Sequence, residues 1–137
     1  ERQLPVKAPK RPRRVEERTV FVLLRGRETA LRRREEPGLL SGLWEFPNVE
    51  GTIGEKEAAD RLKNWGIEVT DWVQRLTAKH IFTHVEWHMT GYVLRCRGEG
   101  PFTWTVPEEM GAIPSAFARF RQAMAEAVEK EDVHGSL

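Results

Sequence analysis

One short stretch gathers three of the chain's four histidines beside a hydroxyl and a carboxylate: His80-Ile81-Phe82-Thr83-His84, with Glu86 and His88 close behind. A threonine hydroxyl both donates and accepts a hydrogen bond, and a neutral imidazole nitrogen accepts one. The same residue types have ordinary structural uses. A Phe beside a strand is usually core, a Thr in a loop usually caps backbone, and a His usually sits in water. His80, Glu86 and His88 raise the question of a metal, but their strand positions give no closed ligand set, and none is expected. Cys96 is the only cysteine. It can form no internal disulfide and no Cys-rich metal or iron–sulfur site, and its alternating context predicts a half-buried, inert thiol. A reducing intracellular compartment is the matching expectation.

The charge is unevenly spread. Arg2, Lys7, Lys10, Arg11, Arg13 and Arg14 stand against the single acid Glu1, a local balance of +5 in a chain whose formal net charge is +1. Arg25, Arg27, Arg32, Arg33 and Arg34 follow. Such clusters are either solvated surface or phosphate-facing, and composition alone leaves both open. Pro5, Pro9 and Pro12 alternate with the basic residues, so residues 1–17 read as a semi-extended connector able to follow a phosphate backbone, or as a frayed terminus. The chain begins at Glu1 rather than Met, which suggests an excised fragment.

The elements around these residues read clearly in places. A hydrophobic share of 39% with five Trp and six Phe residues argues for a packed core in a single domain of 137 residues. No run approaches the roughly 18 apolar residues of a membrane span, and no secretory signal is visible. The β-branched apolar run 19–24 predicts a central buried strand, followed by a turn and a returning strand over 29–33. Leu43-Trp44-Glu45-Phe46 predicts a short strand stopped by Pro47. Ala58, Leu62 and Trp65 share one face of a helix over 55–65, with Gly66 at its C-terminal cap. Two alternating runs follow. Trp72, Gln74, Leu76 and Ala78 share one side of the first; Val85, Trp87, Met89, Gly91 and Val93 share one side of the second. Residues 102–104 suggest a further short strand. Pro114 opens a last helix at the position that tolerates its missing N–H, with Phe117, Phe120, Met124 and Val128 as its apolar stripe. Trp44 and Trp87 are expected in the core or as loop buttresses. Strands, helix, strands, helix give an α/β (α+β) domain over 18–130, with a loose polar tail over 131–137.

Three segments together resemble one family. Leu39-Leu40-Ser41-Gly42-Leu43-Trp44-Glu45-Phe46-Pro47 is similar to the "LL-x-G-L-W-E-F-P" stretch of the C-terminal domain of MutY, the A/G-specific adenine DNA glycosylases. His80 to Trp87 is similar to that family's "H-x-F-S-H-x-x-W", and Ala112-Ile113-Pro114-Ser115-Ala116-Phe117 to its "(A/T)-x-P-x-A". The resemblance spans roughly 19–128 and implies a Nudix-like mixed sheet sandwiched between helices. Enzymatic Nudix relatives hydrolyse nucleoside diphosphate linkages, including 8-oxo-dGTP, through helix carboxylates that bind Mg²⁺. Aligned on Gly66, the two glutamates of that signature are Lys63 and Asn64 here, and its arginine is Ala59. A lysine where a cation should sit is electrostatically wrong, and Glu57 with Asp60 does not replace the cluster.

The resemblance therefore implies a non-catalytic domain that reads 8-oxoguanine opposite adenine in double-stranded DNA. A separate glycosylase domain holding a 4Fe-4S cluster would act in cis on the flipped adenine. It implies lesion contacts from Phe82, Thr83 and His84, with Thr83 in place of the usual Ser, and backbone contacts from Lys10, Arg11, Arg13 and Arg14. It implies no metal or cofactor in this domain, no membrane, and the nucleoid-associated cytoplasm of a bacterium. Two other readings stay open: a working Nudix-type pyrophosphatase, and a degenerate Nudix module that binds a partner protein.

Overall fold

In the computed structural model, which describes residues 12–135, the apolar run lies at the centre of the sheet as β1 (Arg14–Arg25). Residues 20–23 are wholly buried. β1 is flanked by β6 (Val85–Arg97) in parallel register from Arg14↔Val85 to Leu24↔Arg95. Its other edge is shared between β4 (Asn48–Glu50) and β2 (Glu28–Arg33), both antiparallel. β5 (Glu68–Ile81) pairs with β6, while β3 (Trp44–Glu45) and β7 (Thr103–Thr105) pair with β2. The result is a mixed seven-stranded sheet in the order β3-β2-β1-β6-β5, with β4 on β1 and β7 on β2.

Alternation sorts the core into two layers. Val20, Val22 and Leu24 join Trp87, Met89 and Val93 beneath α2 (Ala118–Gly135), with Phe120, Met124 and Val128. Phe21 and Leu23 join Tyr92, Leu94 and Cys96 against Ala58 and Leu62 of α1 (Glu55–Asn64). The sheet is thus sandwiched between two helices, as expected. Acidic Glu55 and Glu57 open α1 and basic Arg61 and Lys63 close it, which suits the helix dipole. Gly66 (φ +82°) ends it: Ile67 N–H bonds Leu62 O and Gly66 N–H bonds Lys63 O, each 2.9 Å. Among the described residues no helix is long and apolar enough to cross a membrane.

Four features differ from the sequence expectation. β1 takes in residues 14–17, which composition assigns to the connector; their strand structure comes from pairing with β6, not from their own apolar content. Bulges interrupt β5 between Val69 and Asp71 and between Trp72 and Gln74. A bulge inserts one residue and reverses the faces beyond it. Trp72 consequently packs on the α1 layer at 5.5 Å from Tyr92, while Leu76, expected beside it, packs on the α2 layer. Pro114 does not open α2. It precedes a 3-10 turn (Ser115–Phe117), capped by Phe117 N–H to Pro114 O at 3.0 Å, and α2 starts at Ala118. Helix α2 also runs through the polar stretch after Glu131, where Asp132 pairs with Arg27 at 2.6 Å.

Candidate functional site

The long β5–β6 hairpin ends in a three-residue turn over 82–84. Phe82 N–H bonds Val85 O at 2.7 Å and closes it. Thr83 and His84 are exposed, and Phe82 is half-buried. The Phe82 ring meets His80 edge-on at 4.7 Å and Trp87 at 5.1 Å. The structure therefore holds the three predicted residues together, with the hydroxyl and imidazole projecting and the phenyl ring rooted beneath them. His84 O accepts a hydrogen bond from Arg14 N–H at 3.2 Å, so the first residue of β1 braces the turn.

The basic residues leading into β1 arrive beside the turn. Arg13 pairs with Glu86 at 3.6 Å and Arg14 with Glu16 at 2.6 Å, with 42% and 66% of the two arginine side chains still exposed. Lys10 and Arg11 lie outside the described residues. His88 bonds Glu86 at 2.5 Å and, ahead of Arg13 and Lys79, holds that carboxyl below its ordinary value. Arg14 does the same for Glu16.

Beneath the turn lies a buried polar cluster that sequence reading misses. Trp87 is wholly buried. The guanidinium groups of Arg18 and Arg34 each lie 5.2 Å from its ring centroid. Arg34 donates to Glu45 at 3.2 Å and to Leu39 O at 2.9 Å, and Arg18 donates to Asn48 Oδ1 at 2.9 Å. Glu45 is 1% exposed, Arg18 2% and Arg34 5%, so two cations and an anion sit in the core. Arg32 also reaches Glu45 at 3.0 Å, and Arg25 and Arg27 pair with Glu28 and with Glu108. Only Arg18 and Arg34 are buried among these; Arg25 and Arg32 are half-buried and Arg27 is exposed, each with a carboxylate partner within the chain. The one available signal was a glutamate inside the apolar run Leu43-Trp44-Glu45-Phe46.

At the end of α1 Lys63 and Asn64 are exposed, and among the described residues no three His, Cys, Asp or Glu side chains converge. A cleft of about 500 Å³ opens near Arg32, Arg33, Trp44, Trp65 and Phe102. Arg34 and Glu45 of the buried cluster also line it, and its arginines are occupied, Arg32 by Glu45 and Arg33 by Gly42 O at 3.1 Å.

Comparison with known proteins agrees with this architecture. Adenine DNA glycosylase of Rattus norvegicus is 31% identical over 138 residues, covering 93% of this chain and 26% of its own length. The Homo sapiens enzyme of the same name is 33% identical over 116 residues, covering 75% and 20%. The chain thus spans about a quarter or less of these relatives. The C-terminal domain of mouse MUTYH, solved in complex with human PCNA, superposes with a TM-score of 0.60 at 24% identity, over 84% of this chain and 90% of that one. A MutT NUDIX hydrolase from Burkholderia pseudomallei gives 0.63 at 14% identity, over 81% and 98%. The profile described as NUDIX domain matches residues 19–123, and the chain belongs to that family.

Proposed function

We propose that this chain reads 8-oxoguanine opposite adenine on behalf of a MutY-like adenine DNA glycosylase, and performs no hydrolysis of its own. The observation that carries the reading is the 82–84 turn, which presents an exposed hydroxyl and imidazole from a closed, aromatic-rooted hairpin. 8-Oxoguanine has a hydrogen on N7, a donor where guanine offers an acceptor, and an oxygen on C8. The Thr83 hydroxyl supplies the acceptor this requires. In the syn lesion the 2-amino group turns to the major groove, where a neutral His84 nitrogen accepts from it. Phe82, with one side held by Trp87, wedges against the base rather than inserting fully.

Adenine excision belongs to the glycosylase domain of the parent enzyme, and so does a 4Fe-4S cluster. One buried thiol, pushed up to about 11 by burial, offers no ligand set for it here. Fold neighbours include MutT hydrolases, which keeps the pyrophosphatase reading testable. Release of pyrophosphate from 8-oxo-dGTP with Mg²⁺ is expected to be undetectable, because Lys63 and Asn64 occupy the cation positions.

The deciding experiment uses the intact enzyme that carries this domain. Single-turnover adenine excision is compared on 8-oxoguanine:A and G:A duplexes for wild type and the Phe82→Ala/Thr83→Ala/His84→Ala variant. Loss of the preference for 8-oxoguanine with retained cleavage of G:A is the expected result. Unchanged rates on both would move the reader elsewhere and favour a protein-binding module.

A further inference from the structure

A relay of rings links the three segments that stand out in the sequence. Ring centroids are 6.3 Å apart for Phe46 and Phe117, 6.1 Å for Phe117 and Trp87, and 5.1 Å for Trp87 and Phe82. They come from the stretch around β3, the 3-10 turn before α2, and the hairpin. Trp87 is an odd choice for plain core. Its buried Nε1–H meets no acceptor in full hydrogen-bond geometry, and its one polar interaction is with the Glu16 carboxyl, which it helps to hold below its ordinary value; a Phe or Leu would avoid burying that donor. The ring instead faces two cations, each fixed by its own hydrogen bonds, Arg18 to Asn48 and Arg34 to Glu45 and Leu39 O. A tryptophan face attracts guanidinium more strongly than phenylalanine does, and most strongly away from water. Desolvation, and then the neighbouring Arg34, lower the Arg18 pKa, so the attraction works against a real burial penalty.

We propose that Trp87, held by Arg18 and Arg34, is a positioning residue for lesion discrimination: it fixes Phe82, and through Phe82 the turn that carries Thr83 and His84. The proposal rests on the lesion-reading role of that turn. A hydrogen-bonding reader must hold its groups within about half an ångström of the productive geometry, and supporting side chains decide whether it does. Arg34 ties the loop before β3 to the same ring through Leu39 O, so the loop and the hairpin turn share one support.

The test measures binding of this chain to 8-oxoguanine:A and G:A duplexes at one low salt concentration, with amide spectra confirming that each variant is folded. Trp87→Leu is expected to lower the preference for the lesion about tenfold, with affinity for G:A unchanged. Trp87→Phe, which keeps an edge-on ring for Phe82, recovers part of it. A core role alone would change stability and leave the ratio as in wild type. If Trp87→Leu does not fold, Arg34→Met decides instead, since it removes one cation and leaves the ring; loss of preference supports the proposal and a wild-type ratio overturns it. A folded Trp87→Leu with the wild-type ratio, beside a Thr83→Ala chain that has lost it, overturns positioning alone. A Thr83→Ala chain that keeps the ratio, or a wild-type chain with no preference, overturns the reading of the turn and positioning with it.

Discussion

At the scale of single residues, Thr83 and Cys96 mark the exposed and the buried extremes of the chain's chemistry. Thr83 offers a hydroxyl and carries a methyl, absent from Ser, that restricts its rotamers. Thr83→Ser is therefore expected to hold or improve the preference for 8-oxoguanine over guanine, and Thr83→Ala to reduce it, read as the ratio of excision rates on the two duplexes in the parent enzyme. Cys96 is 6% exposed, its Sγ–H pointing to Leu24 O at 3.6 Å, and burial raises its pKa from 9.0 to about 11. The folded chain keeps this proton at pH values where the unfolded chain has released it. Unfolding then gains free energy from ionisation, and stability falls as pH rises from about 9 towards 11. The expected loss is up to about 1.4 kcal/mol per pH unit across that window. Urea unfolding at pH 8 to 11 should show a shallower decline in Cys96→Ala; equal slopes would mean that the thiol is not held neutral by the fold.

At the scale of elements, Gly91 shows how closely α2 sits on the sheet. A Cβ there would stand 2.6 Å from Phe120 Cδ1, and Phe120 is wholly buried with no room to swing. Gly91→Ala should destabilise the chain by about 1–3 kcal/mol, lowering the melting temperature by roughly 5–10 °C; an unchanged melting curve would contradict the packing. The alternation that placed Gly91 between Met89 and Val93 was readable in the sequence, as were the apolar centre of β1, the Gly66 stop of α1 and the hairpin turn, because each depends on local period or a single backbone need. Other features depend on partners distant in sequence. Arg14 to Glu17 form strand only because β6 lies alongside, and β4 is three residues between Pro47 and Gly51. The bulge at Val73 reverses Trp72 without any Gly or Pro to announce it. Likewise, the run Arg32-Arg33-Arg34 does not declare that its last member turns inward to Glu45. The turn of the candidate site was therefore legible, while the charged support beneath it was not.

At the scale of the whole molecule, the +1 net charge is a difference between unlike parts. Residues 1–14 carry six basic groups against one acid, +5, so residues 15–137 carry −4. A body with net negative charge is repelled by duplex phosphates at long range, and attraction is expected from the basic segment 1–14, whose last members Arg13 and Arg14 lie beside the turn. Of its four candidate contacts, Arg13 and Arg14 already have carboxylate partners in Glu86 and Glu16, and a phosphate must compete with these. Each phosphate neutralised adds about −0.9 to the slope of log K against log salt. The isolated chain should then show a slope between about −2, if only Lys10 and Arg11 engage, and about −4, if all four do. Replacing these four together with Arg2 and Lys7 by Ser should bring the slope near zero and weaken binding to every duplex alike, while the ratio between 8-oxoguanine:A and G:A stays with the turn. Under the proposed function, binding by the chain alone is weak, and tethering to a glycosylase domain would supply the local concentration that makes a weak reader effective. A steep slope that survives the replacement of all six basic residues of 1–14 would place the phosphate contacts on the folded body and reverse this division of labour.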